Sequence, residues 1–237
     1  MRSKGSSRHE RARTVPEHQA VSARRGGSSN ERAASLPSAS PAARRAKGRP
    51  VSTLHHVQLT DCPAQPWRNG GGTTRELLAW PRSDDWHLRV SVAEIAQSGD
   101  FSAYPGIRRW FAVLDGEGVA LTLPRGRVTL TPLDEPVAFE GEDAPPCRLL
   151  GGTTHDLNLM ARRGEGLARM RHAHAGSSLQ GDRRFRALFA AAPALVDIDD
   201  RTEALAAGTL LWSDDAGAAA WTLRAARHAF WLTLEAQ

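Results

Sequence analysis

From Val51 onward the chain is a succession of short apolar runs closed off by Gly, Pro and Asp, and this punctuation restricts it to a β architecture. Trp86, Leu88, Val90 and Val92 alternate with His87, Arg89 and Ser91, the period-two signature of a half-buried strand. Residues 109–114 and 119–123 flank Asp115-Gly116-Glu117-Gly118, which predicts a hairpin, and Pro124-Arg125-Gly126 marks the next turn before residues 127–130. Runs at 137–139, 147–150 and 157–160 follow, then others at 185–189, 195–198, 209–212, 221–223 and 230–234. Two stretches lack alternation. Residues 162–180 read as an exposed connection and 201–207 as a helical turn. The strands fall into groups on either side of that connection. This predicts two linked β-barrels, the first over about 51–161 and the second over about 181–237, with strand exchange between them; one large sandwich fits the pattern too.

The first 50 residues differ in kind. They hold 10 Arg and 2 Lys against 3 Glu, a balance of +9, whereas the remaining 19 basic and 23 acidic residues give −4. The net charge of +5 therefore belongs to the leader, and the composition argument for nucleic acid does not extend to the folded part. Few large apolar side chains occur in residues 1–50, so burial cannot offset the entropy of ordering and disorder is expected. No apolar stretch of membrane-anchor or signal length follows its arginines. The expectation is that native translation begins near Val51, leaving 51–237 as the functional unit. Cys62 and Cys147 are the only cysteines and form no C-x-x-C, which points to a reducing cytoplasm.

Chemistry concentrates in three clusters. Trp67-Arg68-Asn69-Gly70-Gly71-Gly72-Thr73-Thr74-Arg75-Glu76 sets three glycines between an aromatic–cation–amide triplet and a double threonine. Three glycines imply a backbone that bends tightly or meets something closely. The run has neither the Gly-Lys-Ser/Thr ending of a phosphate loop nor a dinucleotide fingerprint. Phe101-Ser102-Ala103-Tyr104-Pro105-Gly106-Ile107-Arg108-Arg109 is an aromatic turn ending in two arginines. In the third cluster, 151–163, a strand would put Asp156, Asn158 and Met160 on one face and Leu157 and Leu159 on the other. Such a face serves either a ligand pocket or a buried polar network.

Together these clusters resemble the HutD/Ves family: Trp67 to Gly72 with Thr74 and Glu76, then Phe101-Ser102 with Pro105-Gly106 and Arg109, then Asp156, Asn158, Met160, Arg162 and Arg163. The resemblance spans 51–237 and leaves out the leader. It implies an all-β bicupin of two linked RmlC-like barrels, cytoplasmic and associating as a homodimer. It also implies a link to histidine utilisation, through binding an intermediate such as urocanate or formylglutamate, with a second branch tied to cold and stress responses.

The residues themselves suit a small carboxylate. Arg68, Arg108 and Arg109 beside turns offer guanidinium forks, the glycine run offers backbone N–H groups, and Asn69 and Asn158 can read an amide, formyl or imidazole group. An exposed side chain is the competing role for Arg108. The predicted ligand-binding set is Arg68, Asn69, Gly70, Gly71, Gly72, Thr74, Arg109, Asp156 and Asn158. The expected partner is a small carboxylate metabolite, with no nucleic acid or membrane.

No cofactor or metal is expected. His172-Ala173-His174 would share a strand face, yet no glutamate follows and the pair lies in the expected connection; His55 and His56 point to opposite faces. No catalytic residue is assigned, because G-x-S-x-G is missing and His155 and Asp156, being adjacent, face opposite ways. The competing readings are a metal-free isomerase or hydrolase acting on a similar ligand, and a stress-related protein-interaction module.

Overall fold

A computed structural model describes residues 53–181, 183–215 and 220–236, so the expected disordered leader lies outside the described residues. In the first half the strands are β1 (His55–Gln58), β2 (Ala64–Pro66), β3 (Gly72–Pro81), β4 (Trp86–Ile95), β5 (Gly99–Asp100), β6 (Ile107–Asp115), β7 (Val119–Leu123), β8 (Gly126–Leu130), β9 (Val137–Glu140), β10 (Pro146–Leu149) and β11 (Thr154–Arg162). The second half adds β12 (Leu167–His172), β13 (Ser178–Leu179), β14 (Phe185–Ala190), β15 (Ala194–Ile198), β16 (Arg201–Leu205), β17 (Thr209–Ser213), β18 (Trp221–Ala226) and β19 (Ala229–Glu235). They form four antiparallel sheets, ordered β2-β3-β4-β11-β6-β9, β5-β10-β7-β8, β1-β17-β14-β19-β12 and β13-β18-β15-β16.

Side-chain parity decides how the sheets stack. On β11, Leu157, Leu159 and Ala161 join Leu88, Val90 and Val92 of β4 in a core shared with Phe185, Ala187 and Phe189 of β14 and Phe230, Leu232 and Leu234 of β19. The two large sheets thus pack against each other. On its other face the six-stranded sheet offers Ile95, Phe111 and Val113 to Val119, Leu121 and Cys147, closing a first sandwich. The five-stranded sheet likewise offers Leu188, Leu211 and Trp231 to Val196, Ile198, Trp221 and Leu223, closing a second. β14 is therefore buried on both faces, and its sequence, Phe-Arg-Ala-Leu-Phe-Ala, carries apolar side chains on each. Each fully buried Leu, Val or Phe contributes about 1.5–3 kcal/mol, so these three cores outweigh the exposed ion pairs in holding the fold. The fold is all-β and cupin-like, and its two sandwiches are consistent with the two-barrel plan that the resemblance implies. Among the described residues no helix is long and apolar enough to cross a membrane.

Three sequence expectations need correction. The turn at Asp115–Gly118 does not close a hairpin: β6 pairs with β9 and β11, and β7 with β8 and β10, so the turn passes from one sheet of the sandwich to the other. Gly118 is needed there, since its φ is +103° and a Cβ would stand 2.2 Å from the Leu130 carbonyl oxygen. The stretch 162–180 is no exposed connection. It holds β12, whose buried Ala168 and Met170 alternate with exposed Leu167, Arg169 and Arg171, an alternation that apolar counting misses because Leu167 falls on the exposed face. Residues Arg201–Leu205 form β16, paired with β15, where a helical turn was expected. Separately, β1 pairs with β17, so the chain's first described strand lies in the second sandwich, which resumes at β12.

Candidate functional site

The glycine run is the tip of a hairpin. β2 and β3 pair through Pro66–Thr73 and Gln65–Thr74, and Trp67 to Gly71 make the turn. The Trp67 N–H donates to the Gly72 carbonyl (2.9 Å), the Gly70 N–H to the Trp67 carbonyl (3.0 Å) and the Gly71 N–H to Asn69 Oδ1 (3.1 Å). The Gly71 carbonyl accepts from the N–H groups of Ala96 and Gln97, which fastens the tip to the end of β4. Gly70 has φ +70°, and a Cβ on Gly72 would lie 2.1 Å from the Glu94 carbonyl oxygen. Tight turning and close approach both apply, as the sequence indicated. The N–H groups of Gly70 and Gly71 are used within the turn, so they do not converge on an anion.

The turn forms one side of a cavity of about 570 Å³ inside the first sandwich, within the usual size of a small-molecule site. Arg68, Asn69, Thr74, Arg109 and Asn158 of the predicted set line it. Trp67 also lines it and is fixed by donation from Nε1 to Thr74 Oγ1 (2.8 Å). Gly70, Gly71 and Gly72 do not line this cavity; they shape the backbone that presents Arg68 and Asn69, and Gly71 borders a smaller neighbouring recess of about 250 Å³. Arg68 is exposed at the turn.

Sheet register builds the floor. Arg89 of β4, Met160 of β11 and Arg109 of β6 are direct cross-strand neighbours, and one step along lie Ser91, Asn158 and Phe111. Arg109 is only 5% exposed and donates from Nη2 to Asn158 Oδ1 at 2.9 Å. Its guanidinium carbon sits 4.9 Å from the Phe101 ring centre, 5.1 Å from Phe139 and 5.7 Å from Tyr104. Its Nε has no protein partner, and no acidic side chain pairs with it among the described residues. Burial lowers its pKa to about 10, which leaves it charged at neutral pH. The neighbouring cation is compensated, since Arg89 Nε meets Glu76 Oε2 at 2.5 Å. Glu76 of the glycine motif thus neutralises Arg89 and leaves Arg109 as an uncompensated buried charge in an aromatic setting.

Two predicted contributors fall elsewhere. Asp156 shares the inward parity of Asn158, yet it is fully buried beyond the cavity wall and does not line the space. Its Oδ2 accepts from Thr154 Oγ1 (2.9 Å), its Oδ1 has no partner among the described residues, and burial pushes its pKa up to about 8. Its one side-chain partner is thus a neighbour on its own strand, and no part of it borders the cavity. Arg108 points away and pairs with Glu140. Sequence reasoning missed Gln65, Arg89, Asp100 and Tyr104 as lining residues. Arg89 was recognisable as part of the polar face of its strand, but only the sheet pairing shows that this face looks inward.

Among the described residues no group of three His, Cys, Asp or Glu could hold a metal ion. His172 and His174 lie with rings stacked, centres 6.0 Å apart, and the cavity lining carries arginine, amide and hydroxyl groups and one carboxylate, Asp100, with no imidazole among them.

An all-β, cupin-like protein with an arginine-floored cavity is the class that fold and site define. The model of the HutD family matches residues 59–231, and the chain belongs to that family. An uncharacterised 21.2 kDa protein from the hutC 3′ region of Pseudomonas putida is 40% identical over 114 residues, 46% of this chain and 59% of that protein. Protein Ves of Citrobacter koseri is 34% identical over 122 residues, 51% of this chain and 64% of that protein. The chain spans about three fifths of the length of these curated relatives. The structure of HutD from Pseudomonas fluorescens SBW25 superposes with a TM-score of 0.70 at 25% identity, covering 78% of this chain and 100% of that one.

Proposed function

We propose that the protein binds a small carboxylate metabolite in the first-sandwich cavity, with the carboxylate on Arg109, and thereby modulates histidine utilisation without transforming the ligand. The observation that carries this reading is the charge of Arg109, which is buried beside the cavity and pairs with no acidic side chain among the described residues. A buried cation without a counter-ion costs folding free energy, and an anionic ligand supplies the missing partner. Asn69, Asn158 and Thr74 offer donors and acceptors for the neutral end of such a molecule, and Trp67 and Phe101 offer flat apolar walls. Urocanate and formylglutamate combine a carboxylate with an imidazole or a formamide and are the ligands of choice. The P. fluorescens HutD structure is described as a formate condition, formate being the smallest carboxylate, and the P. putida relative is named for its position beside hutC. Both bear on this reading.

Thermal unfolding against urocanate, formylglutamate, formiminoglutamate, histidine and glutamate tests it. A ligand at 100 times its dissociation constant adds about 2.7 kcal/mol, a readily measured rise in midpoint. No rise with any of the five, in well-folded protein, would remove this ligand class from the account.

A further inference from the structure

Between β5 and β6 the chain crosses the cavity wall without regular secondary structure, and Phe101, Ser102 and Tyr104 of this segment line the cavity. Its backbone is held from outside. The Phe101 N–H donates to the Pro145 carbonyl (3.1 Å) and the Tyr104 N–H to the Gly141 carbonyl (2.9 Å). Gly141 permits this approach, because a Cβ there would stand 2.2 Å from the Tyr104 carbonyl oxygen. At Gly106 both backbone groups are taken: its N–H donates to Glu142 Oε1 and its carbonyl accepts the Arg163 N–H, each at 2.9 Å. Glu142 and Arg163 also pair through their side chains. Arg163 reaches Glu140 Oε2 at 2.8 Å, and Glu140 pairs with Arg108.

The result is a chain of four charged side chains, Arg108–Glu140–Arg163–Glu142, ending on the turn that carries Tyr104 and Phe101. We infer that Glu142 and Arg163 are positioning residues: from the protein's surface they hold the 101–106 wall against the Arg109 guanidinium. A single exposed ion pair would hold nothing so precisely, but here the Glu142 carboxylate also accepts the Gly106 N–H, and the Arg163 guanidinium fixes that carboxylate while its own backbone N–H holds the Gly106 carbonyl. The arrangement gives work to Pro105-Gly106 and Arg163, motif residues that line no part of the cavity. Its consequence for affinity rests on the proposed function; its consequence for the wall does not.

Tyr104 is the only tyrosine in the chain, so protein labelled with 3-fluorotyrosine gives one ¹⁹F signal, from the wall itself. In ligand-free full-length protein, Glu142→Ala and Arg163→Ala should each shift and broaden that signal while leaving the unfolding midpoint close to that of the parent. Glu142→Gln, which keeps an acceptor for Gly106 but loses the charge, should fall between. Raising salt should move the parent signal toward the Glu142→Ala position, since exposed pairs are screened. With formate as the probe, the Ala variants should bind about three- to tenfold more weakly, the scale of losing one charge-assisted hydrogen bond and its pair. An unchanged Tyr104 signal in folded Glu142→Ala and Arg163→Ala would overturn the inference. Formate that moves the signal in no protein would count against carboxylate binding, while the ligand-free spectra would still decide the positioning role.

Discussion

The two sandwiches follow one plan and use a buried arginine differently. In the first, Arg109 lies beside a cavity in a cross-strand row with Met160 and Arg89, and no acidic group among the described residues pairs with it. In the second, Arg186 is 1% exposed and lies in a row with Ser213 and Thr233, both buried and polar, and it donates to the Asp215 carbonyl at 3.4 Å. In the same sandwich Trp221, Trp231, Leu188 and Leu211 belong to its hydrophobic core. A buried arginine is therefore not itself a sign of a site. Arg109 combines adjoining space with the lack of an acidic partner among the described residues.

Paired substitutions turn that contrast into measurements. Arg109→Met should weaken carboxylate binding about 10–150-fold, the worth of one charge-assisted pair at about 1.5–3 kcal/mol. The same change should leave the ligand-free unfolding midpoint unchanged or higher, because it removes an uncompensated buried charge. A drop in ligand-free stability comparable to the binding loss would make Arg109 structural.

The next largest effect belongs to Asp156. An ordinary aspartate ionises near 3.8, whereas burial holds Asp156 protonated in the fold up to about 8. The folded state therefore binds the extra proton between these values, and stability falls as pH rises through that window, by at most about 1.4 kcal/mol per pH unit. Asp156→Asn, which still accepts from Thr154, should flatten this fall in urea-unfolding curves taken from pH 5 to 8. Curves of equal slope for parent and variant would show that Asp156 is ionised in the fold.

Arg186→Met should do the reverse of Arg109→Met. It should destabilise by about 1–3 kcal/mol by stranding buried polar partners and leave ligand affinity unaltered. The smallest contrast sits in the glycine turn. Gly72→Ala forces a methyl onto the Glu94 carbonyl and should cost about 1–3 kcal/mol. Gly70→Ala meets no atom within 4 Å and carries only the strain of its positive φ, about 1–2 kcal/mol. Midpoints in the opposite order would mean that the turn adjusts its register to β4.

Much of the site could be read from the chain because it rests on local periodicity. Alternation along 156–160 separated Asp156, Asn158 and Met160 from Leu157 and Leu159, and the structure keeps that division. The glycine run announced a tight turn with close backbone contact, and Gly72 against Glu94 supplies it. What failed depends on partners distant in sequence. Glycines at 116 and 118 look alike whether a turn joins paired strands or crosses between sheets, so the false hairpin had no local signal against it. Arg89 and Arg109 are 20 positions apart and become neighbours only through β11. Asp156 shared Asn158's parity, yet parity does not say how far along the strand the cavity extends.

Isothermal titration of the protein with urocanate and with its primary amide tests the central claim most directly, because the two ligands differ in the group assigned to Arg109. The account predicts that the carboxylate binds and the amide binds at least about tenfold more weakly, with the difference lost in Arg109→Met. Equal affinity for acid and amide in the parent protein would contradict it.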